Sequence, residues 1–221
     1  MNRRLVVVGI AVAAVLATAV AGVFYQRLAG NRAELSGAAA QAVLVRPHSP
    51  VLGEAAAPVT IVEFFDPACE ACRVFHPIIK RSLRQYAGDV RVVLRYAAFH
   101  GVSEEAIRML EAARRQGLFE EILDALFRDQ SRWASHNAPD PEAAWQLARA
   151  AGLDIERARA DMNLPEITER INVDTNDIRA LNVRQTPTIY IAGEQLRSYD
   201  FKVYYEQLLE AIDAAKARAA Q

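Results

Sequence analysis

The 221-residue sequence predicts an α/β domain around one sheet, with a block of helices set between a β-α-β half and a β-β-α half. Two observations predict it. Compact runs of β-branched and aromatic residues recur at Val59–Phe65 (Val-Thr-Ile-Val-Glu-Phe-Phe), at Val90–Tyr96 and over 188–192, each read as a buried strand. From Ser103 to Leu181, between the second and third runs, the apolar spacing is helical instead. Hydrophobic content of 52% and charged content of 24% fit a globular chain, and a net charge of −1 carries no footprint of nucleic acid.

The elements follow in order. Residues 1–25 begin with Arg3 and Arg4 and continue as an almost unbroken apolar run, long enough to cross a bilayer as a helix. Ala17-Thr18-Ala19 and Ala19-Val20-Ala21 also offer small-x-small cleavage patterns. The segment is therefore expected to export the rest of the chain, either as an uncleaved anchor or as a cleaved signal, with its basic end inside. Residues 26–57 read as linker and N-terminal extension, because Arg46-Pro47-His48-Ser49-Pro50 and Gly53 break regular structure. Residues 58–100 hold strand, helix, strand. The helix starts around Cys69, runs toward Tyr86 and contains Pro77 as an expected kink. Residues 101–182 form the helical block. Ser103-Glu104-Glu105 is an expected capped start, and Phe119, Ile122, Leu123, Leu126 and Phe127 make one apolar stripe. Asp140-Pro141 opens a further helix that Gly152 stops, and Trp133 and Trp145 are expected core or groove lining. Residues 183–221 supply the last strand, a hairpin turn at Gly193-Glu194, a partner strand over 195–198 and a helix capped by Asp200.

The chain has two cysteines, so a multi-bridge disulfide framework is excluded, and they stand as C-x-x-C. At the first turn of a helix, the Cys69 sulfur meets unpaired backbone N–H groups and the positive end of the dipole, both of which favour thiolate. Thiolate is the attacking species in disulfide exchange, and Cys72 lies one turn later on the same face, able to close the ring. A plain stabilising bridge is the weaker reading, because so short a loop restricts the unfolded chain little. Glu63, six residues before Cys69 in an apolar strand, is a candidate buried acid with a raised pKa that moves a proton to or from Cys72. Its alternative is a solvent-facing place on an edge strand. Pro187, after Thr186 and before a strand, reads as a cis proline against the cysteines, leaving the Thr186 backbone to pair with an extended substrate.

Strand, C-x-x-C at a helix start, Pro77 five residues on and a later Thr-Pro before a strand together resemble the thioredoxin superfamily. The helical insertion resembles its DsbA-like branch, as does the stretch from Ser49-Pro50-Val51-Leu52-Gly53 to Ala57-Pro58-Val59-Thr60-Ile61-Val62-Glu63-Phe64-Phe65-Asp66. The resemblance covers residues 49 to 218. It implies a thioredoxin fold: a central mixed sheet flanked by helices, with an insertion. It also implies Cys69 as nucleophile, Cys72 as resolving thiol, Glu63 as buried acid and Pro187 as cis proline, with Thr186, Glu70 and Ala71 meeting the substrate. The partners implied are protein thiols and disulfides and a membrane redox partner, DsbB-like or DsbD-like, on the periplasmic side of the bacterial inner membrane. The chemistry calls for no cofactor.

One departure matters. Strongly oxidising DsbA proteins carry Cys-Pro-His-Cys, whereas this motif is Cys69-Glu70-Ala71-Cys72. Loss of the histidine and gain of a carboxylate both oppose thiolate formation, so a milder oxidant is expected. The competing reading is a metal-handling protein in which Cys69, Cys72 and His76 hold a soft ion such as Cu(I). His76 otherwise reads as a surface or packing residue, the role of His100 stays open, and Arg114-Arg115 reads as a solvated helix end.

Overall fold

Every residue of Val59–Phe65 is buried, the pattern of a strand with other layers on both of its faces. The computed structural model describes residues 42–196 and 204–219. Their strands are β1 (Val51–Gly53), β2 (Val59–Phe65), β3 (Val90–Tyr96), β4 (Thr188–Ile191) and β5 (Glu194–Gln195). α1 (Glu70–Gln85) joins β2 to β3. The insertion holds α2 (Ser103–Arg114), α3 (Phe119–Arg128), α4 (Gln130–Trp133), α5 (Pro141–Ala150), α6 (Ile155–Asp161) and α7 (Pro165–Ala180), and α8 (Tyr204–Ala219) follows β5. The sheet order is β1-β3-β2-β4-β5. β2 and β3 run parallel, and the other three pairings are antiparallel. This is a thioredoxin-type mixed sheet with a helical insertion between β3 and β4.

Strand alternation sorts the two faces. Ile61, Phe65, Val92, Leu94, Ile189 and Ile191 share one core with Phe75 and Ile79 of α1, the insertion helices, and Leu208 and Ile212 of α8. Val62, Phe64, Val93 and Tyr190 form a second core with Ile178 of α7 and with Leu44. The α3 stripe is buried as its spacing predicts, and so are Trp133 and Trp145. The Trp133 indole N–H donates to Leu126 O at 2.9 Å, and that of Trp145 to Glu105 at 2.7 Å. Asp140 caps α5 by accepting from Ala143 N at 3.1 Å, with Pro141 in the first turn. Asp140→Ala is expected to lower stability by about 1 kcal/mol, read as a shift in the urea midpoint at constant m.

Four expectations need correction. Val51–Gly53, read as linker, is an edge strand on β3. The stretch before it is tied down because Arg95, fully buried, donates to Val43 O at 2.6 Å and Leu44 O at 2.9 Å, and bonds Asp174 and Asp177 of α7. Ser103 does not cap α2; Val102 holds that position, and the Ser103 hydroxyl turns inward to Asp66. The β4–β5 turn is Ala192-Gly193 (φ +50° and +88°), one residue earlier than expected, and the left-handed pair is what a tight hairpin needs. Arg114 and Arg115 are not merely solvated, since Arg115 pairs with Asp161 and Glu166, and Arg114 donates to His48 O. The targeting segment at 1–25, Ser198 and Asp200 lie outside the described residues.

Candidate active site

Where β2 ends, Asp66-Pro67 turns the chain so that α1 starts at Glu70 with Cys69 as its extended N-cap (φ −76°, ψ 123°). Cys69 N donates to Asp66 O at 3.0 Å, and Arg73 N donates to Cys69 O at 3.1 Å, closing the first turn. Both cysteines are free thiols. Cys69 is 7% exposed and Cys72 is 0% exposed, so the second thiol is reached only through the first. The Cys69 thiol sits 3.3 Å from Thr186 O, and the Thr186–Pro187 peptide is cis. The structure thus brings Cys69, Cys72, Thr186 and Pro187, from opposite ends of the domain, to one spot.

Electrostatics divide the two sulfurs. Cys69 is pulled down to about 5, chiefly by the hydrogen bond from the Cys72 thiol, with Cys72 and Ala71 N–H groups adding to it against burial. Burial pushes Cys72 well above the ordinary thiol value. Glu63 lies in the central strand, paired with Leu94 of β3 and Ile189 of β4, and is 3% exposed. Its neighbours at i±2, Ile61 and Phe65, belong to the core that holds Cys72, so it shares that sheet face. Burial first, and the charge at Cys69 second, raise its carboxyl to about 8. One thiol is therefore poised as thiolate at neutral pH, and one carboxyl is held as acid.

Glu70 and Ala71 face outward. The Glu70 side chain is 67% exposed with His136 Nδ1 at 3.6 Å, so solvent screens its charge from Cys69. His76 does not join the cysteines. Its Nε2 bonds Asp124 of α3 at 2.6 Å and its ring packs on Phe127. Among the described residues no three His, Cys, Asp or Glu side chains are grouped to hold a metal ion, and His76 stands with Asp124 rather than with the two cysteines.

The site also contains residues that sequence reasoning passed over. The Asp66 carboxylate, 0% exposed, accepts from Ala68 N at 2.8 Å, Phe99 N at 2.8 Å, His100 N at 3.2 Å and Ser103 Oγ at 2.5 Å, with His100 Nδ1 at 2.8 Å. Its own backbone N–H points at Cys72 Sγ, 3.5 Å away. Gln130 Nε2 donates to Pro67 O at 2.8 Å and to Cys69 O at 3.0 Å, fastening the insertion to the motif. Asp66 was legible as a strand end, but its partners Phe99, His100 and Ser103 lie more than thirty residues away, and nothing in local spacing announces Gln130.

A thioredoxin family model matches residues 46–214. The chain is 31% identical to a Na(+)/H(+) antiporter NhaA of Herminiimonas arsenicoxydans over 89% of its own length, but spans only 31% of that longer protein. It is 26% identical to disulfide bond formation protein D of Bacillus subtilis, covering 74% of this chain and 75% of that one. Among solved structures, a thioredoxin-like oxidoreductase from Silicibacter pomeroyi superposes with a TM-score of 0.66 at 30% identity, over 78% of this chain and 94% of the other. The α-DsbA1 protein of Wolbachia pipientis shares the fold, with a TM-score of 0.71 at 18% identity over 82% of this chain and 97% of that one.

Proposed function

This chain belongs to the thioredoxin family and shares the fold of its DsbA-like members, and on that premise we propose that it is an exported thiol–disulfide oxidoreductase acting on proteins through Cys69 and Cys72. The observation that carries the reading is the geometry of the pair: Cys69 at the N-terminus of α1 with its thiol 3.3 Å from Thr186 O, and Cys72 buried one turn on, an arrangement that lowers the first thiol and raises the second. In the oxidising direction a substrate thiolate attacks Cys69 Sγ; the substrate–Cys69 bond forms as the Cys69–Cys72 bond breaks. Cys72 leaves and takes up a proton, the step we assign to Glu63 on the same sheet face. A second substrate thiolate then attacks the substrate sulfur, and Cys69 leaves as thiolate. Two electrons have passed from the substrate to the protein, and a membrane redox partner of the DsbB kind receives them; in the reducing direction a partner of the DsbD kind supplies them instead. Thr186, with Pro187 fixing its carbonyl beside Cys69, offers backbone to an extended substrate.

The strength of the oxidant follows from Cys69. Its lowered pKa stabilises the folded dithiol form, fully above the unfolded value of 9.0 and progressively less as pH falls toward about 5. The disulfide gains nothing from it. Thiols at about 3.5 in DsbA and about 7 in thioredoxin bracket this one, so the potential is expected between about −120 and −270 mV. A milder oxidant than the Cys-Pro-His-Cys proteins results. Thiolate absorbance is expected to titrate with a midpoint near 5; a midpoint at 9 overturns the account of the motif. A glutathione redox titration tests the function itself, and failure to form any Cys69–Cys72 disulfide sinks it. Insulin-reduction and dithiol-oxidation assays, with Cys69→Ser as control, fix the direction. Export rests on the apolar segment at 1–25, and carbonate extraction of membranes separates an anchored product from a cleaved one.

A further inference from the structure

Two backbone and side-chain bonds converge on one carbonyl, that of Cys69: Arg73 N donates to it from α1 and Gln130 Nε2 from α4. The side chain of Arg73, and that of Arg128 two residues before Gln130, both line a groove of about 440 Å³ between α1 and α3. On α1, Cys69, Arg73, His76 and Lys80 recur at spacings of four, three and four, so the groove follows the helix face that carries the nucleophile. Phe127, buried, forms part of its wall. Its one carboxylate, Asp124, is already engaged by His76 at 2.6 Å and Lys80 at 3.2 Å. Arg73 and Arg128 have no partner for their guanidinium groups among the described residues, and both side chains stand exposed. Lys80 is shared with Glu120 at 3.1 Å, so Lys80, Arg73 and Arg128 face two carboxylates and leave an excess of positive charge in a concave site one turn from the nucleophile. A carboxylate fits it, because guanidinium binds carboxylate through paired parallel hydrogen bonds.

We propose that this groove is a substrate subsite that takes an acidic side chain of the client protein, close in sequence to its reacting cysteine, through Arg73 and Arg128. The assignment rests on the oxidoreductase reading above and deepens it to a class of substrate: cysteines with a neighbouring Asp or Glu. Charge pairs of this kind, steering encounter and holding one register, act on association more than on the sulfur chemistry.

Stopped-flow fluorescence of the oxidised protein mixed with reduced peptides tests it. The peptides are identical except for Glu or Gln two to four residues from the reactive cysteine. The Glu peptide is expected to react about 3- to 10-fold faster at low ionic strength, and the preference to shrink toward unity in about 0.5 M salt. In the double variant Arg73→Gln, Arg128→Gln the Glu-to-Gln ratio is expected to fall to about one, with circular dichroism confirming the fold. Arg149→Gln removes an exposed arginine of α5 that lines a different surface pocket, and is expected to keep the preference. Equal rates for the two peptides with the wild-type protein overturn the proposal while leaving exchange intact. So does a preference that survives the double variant, or one that Arg149→Gln reduces equally, which would assign it to net charge. Absence of reaction with every peptide overturns the oxidoreductase reading instead.

Discussion

Replacing Glu63 with glutamine is expected to slow the release of Cys72 about 100-fold at neutral pH, the lower range of what a positioned acid supplies. The pH dependence makes the role specific. Glu63 keeps its proton up to about 8, so the wild-type advantage is greatest below that value and closes above it. Single-turnover reduction by a peptide dithiol, followed from acid to alkaline pH, measures this; a wild-type-to-variant ratio that stays flat with pH sinks the assignment. Stability responds with its own sign. A carboxyl whose folded value is raised from 4.5 to about 8 favours the folded chain only while protonated. Wild-type stability is intact below about 4.5 and falls as pH rises through about 8, by on the order of 5 kcal/mol in total. Glu63→Gln has no such ionisation. Its thermal midpoint is expected to overtake that of the wild type across this window.

Asp66→Ala is expected to cost about 3–5 kcal/mol, as when one partner of a buried polar network is removed. The carboxylate gathers donors from the C-x-x-C loop, from Phe99 and His100 after β3, and from Ser103 on α2. Alanine leaves Ala68 N–H, Phe99 N–H and the Ser103 hydroxyl without it. Asp66→Asn retains one acceptor oxygen and should fall between. Urea unfolding gives the magnitude, and the Cys69 thiolate titration a second readout, because the Asp66 backbone also bonds Cys69 and points at Cys72. A variant with wild-type stability and an unmoved Cys69 midpoint would strip Asp66 of this organising role.

β2, α1, β3 and the α3 stripe were legible because burial on both faces, or on one helical face, imposes a repeat that the chain carries locally. Glu63 was legible as a buried acid because its neighbours on both sides are apolar. β1 was not, since three residues between prolines and glycine hold no period and pairing with β3 alone defines them. Ser103 looked like a cap because local chemistry favours one, and a buried carboxylate thirty-seven residues away took its hydroxyl instead. Gln130, Asp66 and His100 share that cause: their meaning lies in partners that only the folded chain brings near.

The sheet order has a consequence for how the protein is made. β3, the parallel neighbour of β2, follows it closely in sequence, but the other neighbour, β4, comes from the far end of the chain, with Glu63 opposite Ile189. Until residues 186–191 are made, β2 lacks its β4 neighbour and Cys69 lacks the Thr186 carbonyl beside it. The active centre is thus assembled from two distant stretches and exists only once both are in place.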